Sequence, residues 1–198
     1  MCGRYHMGED TLEEAVEALG AQTEASIRQG DVRPGETAPV LLSGPDSFLA
    51  RDMRWGFMPA KGKGLLINAR AETALQKPAF SESMMRRRCV MPADAFYEWD
   101  AQKQMVTFRH PEDPFFYLAG CWRFFDGEMR FVILTREANG SVLPVHPRMP
   151  LLFDRFQASE WIRPDSDAQS LIRAEMPHLH AQRAFTQASL FDMQEETV

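Results

Sequence analysis

Four residues could do chemistry together: the Cys2 thiol, the Asn68 amide, the Glu98 carboxyl and the His146 imidazole. They amount to a nucleophile, an orienting hydrogen-bonding group and two groups able to move protons. Cys2 has two distinct chemistries. With Met1 in place it is one more small residue near a terminus. With Met1 removed it is a 1,2-aminothiol, a nucleophilic sulfur and an α-amine on one residue. Asn68 lies near the end of the apolar run LLINARAET, Glu98 sits between Tyr97 and Trp99, and His146 lies in LPVHPRMP. Each has a plain alternative, since polar residues at strand ends commonly bond to a neighbouring loop. A carboxyl among aromatics is desolvated and its pKa rises, which suits an acid working near neutral pH. Spacing alone does not bring the four together.

The elements that must position them are mostly strands. Runs at 38–42, 47–55, 65–69, 88–92, 96–99, 104–110, 115–122 and 129–135 are rich in β-branched and aromatic residues. A further strand is expected at 149–153. Thr11 and Glu14 have capping-box spacing, Leu12, Ala15, Val16 and Leu19 form an apolar stripe, and Gly20 ends a helix over 11–19. Helices are also expected over 78–88, 155–162 and 167–176. Residues 28–39 read as a turn-rich loop, and the acidic tail at 190–198 as loose. Strands in the middle, helices around them and no βαβ alternation predict an α+β single domain over 1–198. Its sheet is largely antiparallel, curved and barrel-like.

The 198 residues are 44% hydrophobic and 25% charged, a balance typical of a soluble protein. No apolar run reaches the ~20 residues needed to span a bilayer, and the N-terminal region does not read as a signal peptide. The expectation is a cytoplasmic protein with no membrane partner. Cys2, Cys89 and Cys121 are odd in number and widely spaced, with no CxxC or HExxH motif, so no metal site and no disulfide framework is expected. No cofactor is expected. Cys89 and Cys121, in RRRCVMP and LAGCWRF, read as inert core thiols. The formal net charge is −6, yet residues 51–90 hold nine Lys/Arg against three acids. That asymmetry suits either a basic face on an acidic body or scattered surface pairs.

Taken in order, MCGRY (1–5), MRWGFMP (53–59), INARAET (67–73), KPAF (77–80), RRRCVMPADAFYEW (86–99), AGCW (119–122), ILTREAN (133–139) and VHPRMP (145–150) resemble the SOS response-associated peptidase (SRAP) family of abasic-site processing proteins. The resemblance covers about residues 1–163. It implies a monomer with a positively charged cleft for single-stranded DNA containing abasic sites, working on DNA in the cytoplasm and nucleoid. It also implies removal of Met1, a covalent thiazolidine crosslink from Cys2 to the abasic sugar, and thiol autopeptidase and lyase-like activity. Mapped onto matching motifs, Cys2, Asn68, Glu98 and His146 are the expected catalytic residues. Arg4, Trp55, Arg70 and Arg148 are the expected DNA contacts.

Three segments depart from the family pattern. His146-Pro147-Arg148 stands where HDR is usual, which removes an acceptor that would orient the histidine. The loop after Pro59 is short and lacks tryptophan, and DVRPGETAPV replaces an Asn-Ile-Ala-Pro stretch. Other readings of the same residues are an N-terminal-nucleophile amidohydrolase, a Cys–His–Asn thiol peptidase acting on peptides, and a non-enzymatic single-strand-binding module.

Overall fold

The computed structural model describes residues 2–183. In chain order its elements are β1 (Tyr5–Met7), α1 (Thr11–Leu19), β2 (Gln22–Thr23), β3 (Gly30–Val32), β4 (Thr37–Ser43), β5 (Phe48–Trp55), β6 (Asn68–Arg70), α2 (Ala71–Ala74), α3 (Ser81–Arg86), β7 (Arg88–Ala93), β8 (Ala95–Trp99) and β9 (Met105–Arg109). They continue with β10 (Phe116–Phe125), β11 (Glu128–Glu137), β12 (Arg148–Pro150), β13 (Leu152–Phe153), α4 (Arg155–Ile162), α5 (Ala168–Arg173) and β14 (His180–Arg183). The expectation about the tail at 190–198 lies outside the described residues.

The long β-rich runs form a closed barrel. β7 pairs with β10, β10 with β11, β4 with β5 and β4 with β7, all antiparallel. The ring is completed by a short parallel pairing of β11 with β5, Arg130 opposite Arg54 and Phe131 opposite Trp55. Closure removes the open edges that a curved sheet would otherwise expose. β7 is buried along its whole length, as expected of a strand covered on both faces. A second sheet, in the order β14-β9-β8-β1-β3, places the N-terminal strand in its interior. One hydrophobic core runs through both sheets.

Four features depart from the sequence reading. Asp10, not Thr11, occupies the N-cap of α1, and no side chain caps it. Thr11 is instead the first helical residue and is buried. Gly20 does end the helix, in the left-handed conformation at φ 60°. Residues 30–32 form β3 rather than loop, because β1 offers them a backbone ladder, Tyr5 opposite Val32 and Met7 opposite Gly30. The helix expected over 78–88 spans only Ser81–Arg86, since Arg88 already opens β7. At 149–153 the strand is split, β12 pairing with β11 and β13 with β10.

α4 starts with a reciprocal capping box: the Asp154 carboxylate accepts the Gln157 N–H at 2.8 Å, and the Gln157 side chain accepts the Asp154 N–H at 3.2 Å. The helix delivers Trp161 into the core, where its indole N–H reaches the carbonyls of Cys89 and Gly120 at 3.1 and 3.0 Å. Arg88 is 5% exposed and donates to the carbonyls of Trp161 and Met84 and to the Ser166 hydroxyl. It is therefore a tie between β7 and the C-terminal helices.

Candidate active site

Four elements bring the sequence-selected residues to one place. Cys2 precedes β1, and the β1–β8 ladder continues through the Tyr97 N–H bonded to the Arg4 carbonyl at 3.1 Å. That pairing sets Glu98 of β8 beside the amino-terminal segment. β6 runs parallel to β11 with Asn68 opposite Ile133, and the Asn68 side-chain N–H₂ donates to the Cys2 carbonyl at 2.9 Å. The Asn68 side-chain oxygen is buried with no partner among the described residues. His146 ends the turn before β12, its N–H bonded to the Val142 carbonyl at 3.0 Å.

The electrostatics tie the same residues together. Cys2 is fully buried. Burial pushes its thiol well above the usual range, the charge of Glu98 pushes it further, and the S–H contacts the Arg4 carbonyl at 3.8 Å. Glu98 is 2% exposed, and burial raises its carboxyl above the ordinary range, while the amino-terminal charge and, less strongly, His146 pull it partly back. Low dielectric favours the neutral form of both groups.

His146 lacks the aspartate of the usual motif but not an orienting partner. Its Nδ1 lies 3.0 Å from the Arg148 N–H and 2.9 Å from the Arg148 carbonyl. With its proton on Nε2 alone the ring accepts the former; with a proton on Nδ1, neutral or charged, it donates to the latter. One residue's backbone thus serves both charge states of the imidazole.

The expected DNA contacts separate. Arg70 is exposed at the start of α2 and forms no ion pair among the described residues. Arg4 lies over the Trp99 ring at 5.1 Å and the Tyr97 ring at 5.7 Å, and pairs with Asp31 at 3.5 Å. Trp55 is a correction: it is fully buried, stacks on Phe131 at 6.0 Å and donates its indole N–H to the Ile67 carbonyl at 2.8 Å, so it has no face for a base. Arg148 is a second correction. Its guanidinium is taken up by Glu72, at 2.7 and 2.9 Å, and by the Thr135 carbonyl, with the side chain 15% exposed. The sequence reading passed over Trp99, which is partly exposed beneath Arg4. Period-2 alternation in AFYEW holds the signal, since it places Tyr97 and Trp99 on the face opposite Glu98.

Among the described residues no cluster of three or more His, Cys, Asp or Glu could hold a metal ion, and no helix is long and apolar enough to cross a membrane.

A closed barrel flanked by a second sheet, with Cys2, Asn68, Glu98 and His146 gathered at the amino end, defines a recognisable class. The sequence profile of the SOS response associated peptidase (SRAP) family matches residues 1–189, and the chain belongs to that family. It is 29% identical over 197 residues to abasic site processing protein YoaM of Bacillus subtilis, covering 88% of this chain and 84% of that protein. It is 32% identical over 179 residues to abasic site processing protein YedK of Escherichia coli, covering 82% and 80%. Among solved structures, a phage-related protein of Bordetella bronchiseptica superimposes with a TM-score of 0.77 at 25% identity, covering 93% of this chain and 95% of that one. A protein from Bacteroides thetaiotaomicron gives a TM-score of 0.78 at 20% identity, covering 93% of each.

Proposed function

We propose that this chain processes abasic sites in single-stranded DNA by a covalent crosslink through Cys2 after loss of Met1. The observation that carries the reading is the convergence on Cys2: its carbonyl held by Asn68, and its thiol sensing the charge of Glu98, which in turn senses His146. The relatives named as abasic site processing proteins support the substrate class.

An opened abasic sugar carries an aldehyde. The Cys2 α-amine, with a reference pKa near ~7.7–8.0, attacks the aldehyde carbon. The carbinolamine loses its hydroxyl as water and becomes a Schiff base. The sulfur then adds to the same carbon while the thiol proton passes to nitrogen, which closes a thiazolidine. One C–N and one C–S bond form, and one water leaves. The raised thiol pKa favours this order, because a buried neutral thiol is a poor first nucleophile and leaves the opening attack to the amine. The same property counts against a free-standing thiol peptidase. Glu98, its carboxyl raised above the ordinary range by burial, is placed to give the proton that carries off the hydroxyl. His146 moves protons in opening the sugar, and Asn68 keeps the Cys2 backbone in register. Arg70 and Arg4 meet flanking phosphates, contacts that position a strand without reading its sequence. The Schiff base also acidifies the adjacent sugar C–H, which provides a lyase-type side path.

The test is incubation of the Met1-processed protein with single-stranded DNA carrying one abasic site, followed by a denaturing gel. A heat-stable shifted band is expected, lost in Cys2→Ala and in protein that retains Met1. A band that survives both changes would overturn the thiazolidine mechanism.

A further inference from the structure

The strand β11 separates the carriers of two site residues. β6, with Asn68, pairs along one edge of β11, Ile133 opposite Asn68 and Thr135 opposite Arg70. β12, which follows His146, pairs along the other edge, Thr135 opposite Pro150 and Glu137 opposite Arg148. The relative placement of Asn68 and His146 therefore depends on what ties those two edges together. The structure supplies one side-chain tie. Arg148 reaches across β11 over the buried Thr135, donates to its carbonyl and hydroxyl, and ends in a two-pronged pair with Glu72 of α2. Both guanidinium prongs are used, at 2.7 Å to Oε1 and 2.9 Å to Oε2. Such fork-to-fork pairs fix geometry as well as charge. Burial alone would raise the Glu72 carboxyl, but the Arg148 hydrogen bonds and charge, together with backbone N–H groups, more than offset it and hold it below the usual range, so the pair is ionised at neutral pH.

Arg148 is also the residue whose backbone N–H and carbonyl hold the His146 ring. We propose that Glu72 is a positioning residue for His146. By fixing the Arg148 side chain, it fixes the backbone that sets the orientation of the imidazole, and with it the distance from His146 to Asn68. The inference rests on the crosslinking reading for its kinetic consequence, but not for its structural one. Glu72 lies outside the reacting atoms and acts only through Arg148.

The experiment uses the full chain, Met1-processed, with melting curves to confirm that each variant is folded. Glu72→Ala is expected to slow crosslinking of abasic single-stranded DNA about 10-fold, the scale seen when groups supporting active residues are lost. Affinity for the same strand carrying an unreactive sugar analogue should stay within about twofold. Glu72→Asp, which keeps the charge, should recover part of the rate. The Glu72→Ala/His146→Ala double variant should be no slower than His146→Ala alone, and Glu72→Ala should show the pH profile of His146→Ala. A purely stabilising pair would give additive losses and an unchanged profile.

A second readout needs no chemistry: the tautomer-sensitive ¹⁵N signals of His146 should move in Glu72→Ala and return toward wild type in Glu72→Asp. Additive kinetic losses, or unmoved His146 signals, would overturn the inference. So would Glu72→Ala that binds DNA more tightly at an unchanged rate, because Glu72 would then be a competitor of phosphate for Arg148. Wild-type protein that forms no crosslink at all would sink the crosslinking reading, and the His146 signals would still decide the role of Glu72.

Discussion

Burial favours the neutral forms of Glu98 and Cys2, and for Glu98 that has a measurable cost for the fold. A carboxyl whose pKa is raised in the folded state binds protons more tightly there than in the unfolded chain. Its contribution to stability is complete below the unfolded value, near 4.5, and is lost as the pH climbs through the folded value. Glu98→Gln removes that loss. The variant should therefore melt higher than wild type at neutral pH, the gap closing as the pH is lowered toward 4.5, while its crosslinking slows and its DNA affinity is kept. Melting temperatures across pH and single-turnover rates check both halves; a variant that melts lower at neutral pH would show that Glu98 is stabilised as the anion. The four candidate residues could be singled out in the sequence as chemically distinct groups, but only the resemblance to the SRAP family grouped them. The fate of Trp55 and Arg148 was not legible there, because side-chain commitment to Ile67, Phe131, Glu72 and Thr135 depends on contacts distant in the chain.

At the scale of elements, the barrel tolerates no bulk where its strands come closest. A Cβ on Gly120 of β10 would stand 2.5 Å from the Val132 carbonyl oxygen and 3.0 Å from the Met91 methyl carbon. The first neighbour is backbone and cannot turn aside. Gly120→Ala should cost about 1–3 kcal/mol, read as a lower denaturant midpoint, and a midpoint equal to wild type would show that β10 and β11 can part without penalty. The long strands announced themselves through β-branched and aromatic runs, and Gly20 through its place after an apolar stripe. The short strands β1, β3 and β14 did not. Three or four residues carry too little periodicity to read, and they are strands because a partner offers a ladder. The helix over 11–19 stands as expected, but the capping box at Thr11 failed, because Thr11 is buried as the first helical residue and Asp10 takes the N-cap.

For the whole molecule, the basic stretch at 51–90 does not become one positive face. Arg51 pairs with Glu24, Arg54 with Glu128 and Arg87 with Glu82, and Arg88 is buried among carbonyls. Lys61, Lys63, Arg70, Lys77 and Arg86 stay exposed. Of these, Arg70 is two residues from Asn68, so its charge acts where the lesion would sit. Arg70→Ala should weaken binding to single-stranded DNA equally for all sequences and reduce the slope of log affinity against log salt by about 0.7. An unchanged slope would remove Arg70 from the DNA path.

The burial of Cys2 sets an order of events in time. Cys2 has no solvent exposure in the finished fold, so its α-amine is more open to a soluble aminopeptidase before the chain folds than after. Asn68 and Glu98, which meet Cys2 in the fold, emerge from the ribosome much later than it does. If the α-amine is to be freed by another enzyme, the nascent chain offers it the most open approach.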